Sequence, residues 1–337
     1  MTQPSFDHSV PPNFPSSLAS LRTVSPRTIP PIHIVLFGAT LFTTTLAGTF
    51  QAGGDPLSDP SALVLGLPFA LTLLLILLSH EMGHYILARI HGVWASLPYF
   101  IPGPPFFVGT FGAFIRMKSA PANRSALFDI GAAGPWAGVC FAIPAVIIGL
   151  TLSEVQPLDP LSGGIILGDS VLFSALITLV LGVAPDEVRV ILHPIALAGW
   201  FGLFVTFLNL LPVGQLDGGH VVYSLFGPAH RWVARAFLLV ILMLGFQGWN
   251  GWFVWVVLLA ILGIDHPPIG DQVLPLDRRR TIYGWCTVGL FVLTFTPVPI
   301  TISADFPLQE DVTPVAYQLE QRPLSSPLSP WTLVYQP

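Results

Sequence analysis

The chain has 337 residues, of which 53% are hydrophobic and only 9% charged, with a formal net charge of −5 and a mean hydropathy of +0.72. A soluble domain carries about 25% charged residues, so this composition excludes an ordinary water-soluble enzyme and specifies a polytopic membrane protein. Its two cysteines, Cys140 and Cys286, each lie in an apolar run, which points away from a disulfide frame or thiolate metal site and toward small core hydrophobes.

Residues 1–31 are rich in Pro, Ser and Thr, carry Arg22 and Arg27 against the single acid Asp7, and read as a disordered cytoplasmic arm. No apolar core with a small-residue cleavage site precedes position 32, so a cleaved signal peptide is not expected; the low acid content leaves an organellar transit peptide as the alternative. The first span is expected at Ile32–Phe50 and the second at Ala62–Ile90, joined by a loop with Asp55 and Asp59.

The second span carries Ser79-His80-Glu81-Met82-Gly83-His84. On a helix the two histidines stand one turn apart, offset by about 40°, so both imidazoles can grip one ion. Glu81 falls about 60° from His84 on the same side, where a carboxylate can activate water beside a metal. Three ionisable groups at bilayer depth each cost roughly 2.5–3.5 kcal/mol on insertion scales, and a divalent cation compensates them. The alternative is a buried polar cluster that only packs helices. Arg89 marks the membrane exit, which places His80 about 13 Å inside it at about 1.5 Å per residue.

Leu97–Met117 is apolar yet broken by Pro102, Pro104, Pro105, Gly109 and Gly112. Such a segment suits neither a spanning helix nor a solvated loop, so a re-entrant hairpin lining a cavity is expected, with a short exposed strand at Gly109–Ile115. A third span at Leu127–Leu152 holds Gly131-Ala132-Ala133-Gly134-Pro135-Trp136-Ala137-Gly138, small residues that permit close helix packing. Val171–Ala184 is an apolar stretch of fourteen residues where a span wants about twenty, and reads as an interfacial or buried extracytoplasmic helix. Further spans are expected at Pro194–Leu211, Trp232–Phe246, Trp252–Ile264 and Ile282–Pro299. The result is an all-α polytopic protein of about six to seven transmembrane helices, with a β-hairpin-like re-entrant loop between the second and third.

Threading seven spans puts Arg22 and Arg27, Arg89 to Arg124, Arg231 and Arg235, and Arg278 to Arg280 on one face, the cytoplasmic one by the positive-inside rule. Two histidines leave a catalytic zinc one protein ligand short of three. Asp217, just past the fourth span and followed by Gly218 and Gly219, is the best-placed third; His220 competes, and Glu187 competes in principle but falls on the opposite face. Read by itself, Asp217-Gly218-Gly219 is equally compatible with a simple turn.

His80-Glu81-x-x-His84 together with Asn209-x-x-Pro212-x-x-x-x-Asp217-Gly218-Gly219-His220 resembles the site-2 protease family of intramembrane zinc metalloproteases. Gly109-x-x-Gly112 and the Ala133–Gly138 run look like elements of the same family in the same order, over roughly residues 60–270. The fragment His266-Pro267-Pro268 with Asp277-Arg278 is similar to the branch with plastid and cyanobacterial members. The resemblance implies one Zn2+ held by His80, His84 and Asp217, Glu81 as general base, and substrate contacts at Asn209, Gly109 and Gly112. Many family members carry a PDZ or CBS module; no stretch here is expected to house one, which moves substrate selection to the membrane core, the loops or an unknown regulatory partner.

The expected organisation is the arm 1–31, a membrane-embedded metalloprotease domain 32–300 and a Pro-rich extracytoplasmic tail 301–337. Its partners are a transmembrane protein substrate and the lipid bilayer, not nucleic acid. The expected setting is a bacterial plasma membrane, with an organellar membrane as the alternative. Two other readings of the same residues are a divalent-cation transporter and a catalytically silent protein that binds membrane segments.

Overall fold

A computed structural model of the protein describes residues 29–157, 164–183, 188–269, 275–303 and 333–335. The arm expected over 1–31 therefore lies, apart from residues 29–31, outside the described residues, and so does Glu187.

Helix α1 (Pro31–Gln51) opens on Pro31, whose missing N–H costs nothing in a first turn. Its buried hydroxyls at Thr40, Thr44, Thr45 and Thr49 each donate to the carbonyl four residues back at 2.7–2.9 Å, so no polar side chain on that face is left bare. Helix α2 (Leu63–Ile90) follows a short turn capped by Asp59. The strands β1 (Tyr99–Pro102) and β2 (Thr110–Phe114) form an antiparallel hairpin, close to the strand expected at Gly109–Ile115. Gly109 stands at φ +80°, and its backbone packs on α1, where Thr43 Oγ1 donates to its carbonyl at 2.6 Å.

Helix α3 (Arg124–Thr151) is capped by Asn123, whose Oδ1 accepts the Ala126 N–H at 2.9 Å. It packs against α2, and also against α4 (Val171–Leu181), α5 (Pro194–Asn209), α6 (Asp217–Phe226) and α9 (Arg278–Thr294). Helices α7 (His230–Gln247) and α8 (Gly251–Leu262) pack on each other. Two polar ties hold α9 to α3: Trp136 Nε1 donates to Thr287 Oγ1 at 3.0 Å, and the Arg280 guanidinium grips both oxygens of Asp129 at 2.7 and 2.8 Å. Asp129 also takes His91 Nε2 from the end of α2 at 2.8 Å.

The chain is mostly helical, as expected, but not all-α. Besides the hairpin it contains a five-stranded sheet in the order β3-β5-β7-β4-β6: β3 (Glu154–Pro157), β4 (Gly164–Leu167), β5 (Val188–Ile191), β6 (Ile300–Ser303) and β7 (Leu333–Tyr335). These strands are three or four residues long and widely separated, too short for alternation to reveal. The boundary drawn at 300 falls inside β6, and β7 pairs parallel to β4 and antiparallel to β5.

Among the described residues four helical segments are long and apolar enough to cross a membrane: Pro31–Gln51, Pro60–Ile90, Arg124–Thr151 and Asp217–Gln247. The apolar helices α4, α5 and α8 fall short of the roughly twenty residues that a perpendicular span needs. Cys140 and Cys286 are corrected from core residues to exposed positions on α3 and α9. Apolar runs on bundle helices face outward as readily as inward, so a run does not locate a cysteine.

Candidate metal centre

Helix α2 brings His80 and His84 to one face, both buried. Asp217, the first residue of α6, approaches them from the other side of the fold. His80 Nε2 lies 3.2 Å from Asp217 Oδ2, His84 Nε2 lies 3.2 Å from the same oxygen, and the two nitrogens are 3.1 Å apart. Three ligand-type atoms thus form a nearly equilateral triangle.

Its edges match a metal. A tetrahedral ion with bonds of about 2.0–2.1 Å separates its ligand atoms by about 3.3 Å. The donor chemistry matches as well. His84 Nδ1 donates to the Ile130 carbonyl at 2.7 Å, which leaves the neutral ring's lone pair on Nε2, facing the other two groups. Converging lone pairs and a carboxylate are mutually repulsive until a cation sits among them.

Helix α3 makes the room. A Cβ at Gly134 would overlap the His84 imidazole, and one at Gly138 would come within 3.2 Å of His80 Nδ1. A Cβ at Gly83 would strike the Ala133 carbonyl, so the two helices touch through backbone at this level. Behind Asp217, Gly218 and Gly219 lie against the carbonyls of Leu210 and Gly214, which lets α6 start directly beneath the end of α5. Asp217-Gly218-Gly219 is therefore a helix start and not a free turn.

A cavity of about 220 Å³ opens on the triangle. Glu81 lines it, 7% exposed, with the Ile115 backbone amide in hydrogen-bonding reach of its carboxylate. Asn209 lines it too, its Nδ2 3.2 Å from His80 Nε2. Asn209 also borders a neighbouring cavity of about 290 Å³ whose lining includes Gly112, Phe111 and Trp255. Gly109 is not part of either lining; it is the hairpin residue packed on α1. His220, the sequence competitor to Asp217, lines the site cavity but bonds through Nδ1 to His266 Nε2 at 2.8 Å.

Sequence reasoning missed the Ile130 carbonyl and the Ile115 amide, because backbone groups carry no letter. It found the glycines of α3 and read them as packing residues; that one of them packs on a histidine ring needed the register of α2 against α3.

The fold and the site define a largely helical protein with segments of membrane-spanning length and a buried His-His-Asp cluster able to hold a metal ion. The sequence profile described as Peptidase family M50 matches residues 68–247, more than half of the chain. Probable zinc metalloprotease EGY2, chloroplastic, of Arabidopsis thaliana is 30% identical over 272 residues, covering 79% of this chain and 48% of that protein. Probable zinc metalloprotease EGY1, chloroplastic, is 40% identical over 165 residues in Arabidopsis thaliana (48% of this chain, 30% of that protein) and 39% over 166 in Oryza sativa subsp. japonica (48% and 28%). The chain spans less than half the length of these relatives. It belongs to Peptidase family M50.

Proposed function

We propose that the chain is an intramembrane zinc metalloprotease that hydrolyses peptide bonds of transmembrane substrates near the cytoplasmic side of its bilayer. The observation that carries this is the His80–His84–Asp217 triangle with edges of 3.1–3.2 Å, built on helices of membrane length with Glu81 in the same cavity. The names of the relatives and the family point the same way.

His80, His84 and Asp217 would hold one Zn2+. When bound, the ion supplies a Lewis acid that acidifies water and polarises the scissile carbonyl. Glu81 accepts the proton of the attacking water and passes it to the leaving amine. Asn209 helps to hold the substrate beside His80. A transmembrane helix hides its carbonyls in its own hydrogen bonds, so the substrate must unwind; β2, whose second edge is not paired by β1, takes up the unwound segment as an added strand. Gly112 gives that strand its shape, and Gly109 seats the hairpin on α1.

In this reading α1, α2, α3, α5, α7, α8 and α9 are seven spans, with the shorter ones tilted or buried in the bundle, and the β1–β2 hairpin is re-entrant. The basic clusters then share the cytoplasmic face with residues 1–31, and the segment from 301 lies opposite. The chloroplastic naming of the relatives moves the expected membrane from a bacterial plasma membrane toward an organellar one. A regulatory partner is left to be identified.

Glu81→Gln tests the assignment. Purified wild-type protein should cleave a single-span substrate and contain one zinc per chain; the variant should keep the zinc and lose cleavage by at least about 100-fold. Cation flux into proteoliposomes would instead make the site a transporter, and substrate binding without turnover in the wild type would make it a silent scaffold.

A further inference from the structure

The site cavity has a third histidine, His220, beside His80 and His84, and its protonation can be read from its neighbours. The Pro267 carbonyl can only accept, so the 2.6 Å contact from His266 Nδ1 puts a proton on that nitrogen. Burial holds the His266 ring below its ordinary range, which keeps it neutral with its lone pair on Nε2. The 2.8 Å contact between His266 Nε2 and His220 Nδ1 must then be donated by His220. The His220 ring is buried, which disfavours the cation, and a neutral imidazole that donates from Nδ1 carries its lone pair on Nε2. Tyr223 stacks on the His266 ring at 4.3 Å and 21°, fixing its plane.

His220 stands one helical turn beyond Asp217 on α6, on nearly the same face. The cavity is lined both by the hairpin residues Ala113, Phe114 and Ile115 and by Asn209, Gln215 and His220. An extended peptide paired along β2 satisfies only one of its edges; the backbone N–H groups of its other edge need acceptors inside a site that excludes water.

We propose that His220 is a substrate-binding residue whose Nε2 accepts a backbone N–H on the edge of the bound segment that β2 does not pair, and that His266 is the positioning residue that fixes His220 in this tautomer. The inference rests on that part of the proposed function in which the chain binds an unwound membrane segment along β2.

The probe is a fluorescein-labelled synthetic single-span peptide with a central Gly-Ser-Gly break, bound to zinc-loaded Glu81→Gln protein in detergent and read by anisotropy. Adding His220→Leu should weaken binding about five- to tenfold, the loss of one hydrogen bond. His220→Gln, which keeps an acceptor, should stay within about twofold. His266→Leu should weaken binding and His266→Gln restore it, with zinc content equal throughout. Replacing amides around the break by esters, one at a time, deletes single N–H donors. One position should cost the same five- to tenfold in the Glu81→Gln parent and nothing once His220→Leu or His266→Leu is present, a pattern that a purely structural histidine does not produce. Equal peptide affinity with and without the His220 side chain, or an ester scan that ignores it, overturns the assignment while leaving the protease reading intact. Wild-type protein that never cleaves the peptide but binds it in a His220-dependent way overturns the protease reading and keeps this one.

Discussion

Gly134→Ala is the sharpest test of how the metal centre is built, because it adds a single methyl group and touches none of the proposed ligands. The new Cβ would sit inside the His84 imidazole, so the ring must retreat by more than about 1 Å to restore ordinary contact. Retreat breaks the 2.7 Å bond from Nδ1 to the Ile130 carbonyl and enlarges a triangle whose edges are now 3.1–3.2 Å. Losing such a supporting bond lowers metal affinity about 10–100-fold, or about 1.4–2.8 kcal/mol. The same change removes a glycine from a helix interior, worth up to about 1 kcal/mol in favour of the fold. Displacing the buried ring and stranding the Ile130 carbonyl cost the apo fold about 1–3 kcal/mol, which the helix gain only partly offsets, so the expected signature is a moderately lower unfolding temperature once zinc is stripped together with loss of zinc to a weaker chelator.

Two companions grade the effect. At Gly138 the added carbon meets His80 Nδ1 at 3.2 Å, a distance that yields by a few tenths of an ångström, so Gly138→Ala should cost only a few-fold in affinity. At Gly38 nothing lies within 4 Å, and Gly38→Ala should leave zinc binding untouched. Affinity is measured by competition with a chromogenic chelator on detergent-solubilised protein, stability by thermal unfolding of the apo forms. If Gly134→Ala binds zinc as tightly as the wild type, the glycine is not making room for the ligand and the reasoning fails.

Phe111→Pro, at an exposed position in β2, should lower cleavage of a single-span substrate at least tenfold with zinc content unchanged; unchanged cleavage would remove the strand from the mechanism. Asp129→Asn should lower apo-protein stability by about 1–3 kcal/mol, since the carboxylate serves Arg280 and His91 together, and Arg280→Lys should recover only part of the wild-type value because the guanidinium fork is lost. Trp252→Phe strands the Pro297 carbonyl that the indole holds at 2.7 Å, and should cost about 1–3 kcal/mol in the same unfolding assay. Dialysis against a chelator should abolish cleavage and lower the unfolding temperature, with both restored by stoichiometric zinc.

What the sequence disclosed follows from the reach of its signals. Helices α1, α2, α3, α5, α7, α8 and α9 each coincide with an apolar run, because lipid-compatible helices need continuous hydrophobicity and soluble connectors interrupt it. The hairpin at Tyr99–Phe114 was legible from Pro and Gly, which forbid a helix there, and from Thr110 to Ile115, which suit a strand. The five-stranded sheet was not: β7 pairs with β4 and β5 more than 140 positions away, and three residues have no period to read. The ion pair between Arg280 and Asp129 was equally hidden, since the run Arg278–Arg280 reads as a membrane-face cluster until α9 is seen lying on α3.

The site is a matter of two ranges. His80 and His84 meet by helical spacing alone, which is why five letters sufficed to find them. Asp217 joins them only because α3 carries glycine where α2 and α6 both need to come close: Gly134 beneath the His84 ring, and Gly131 beneath His220, whose Cβ would be 2.7 Å from an added methyl carbon. One helix thus sets the distance between the two elements that bear the proposed ligands, and the small-residue run that looks like generic packing is where the 3.2 Å edges of the triangle are fixed. It follows that substitutions along this face of α3 should disturb zinc affinity in proportion to their overlap with His80, His84 or α6, and not in proportion to their distance from the ion.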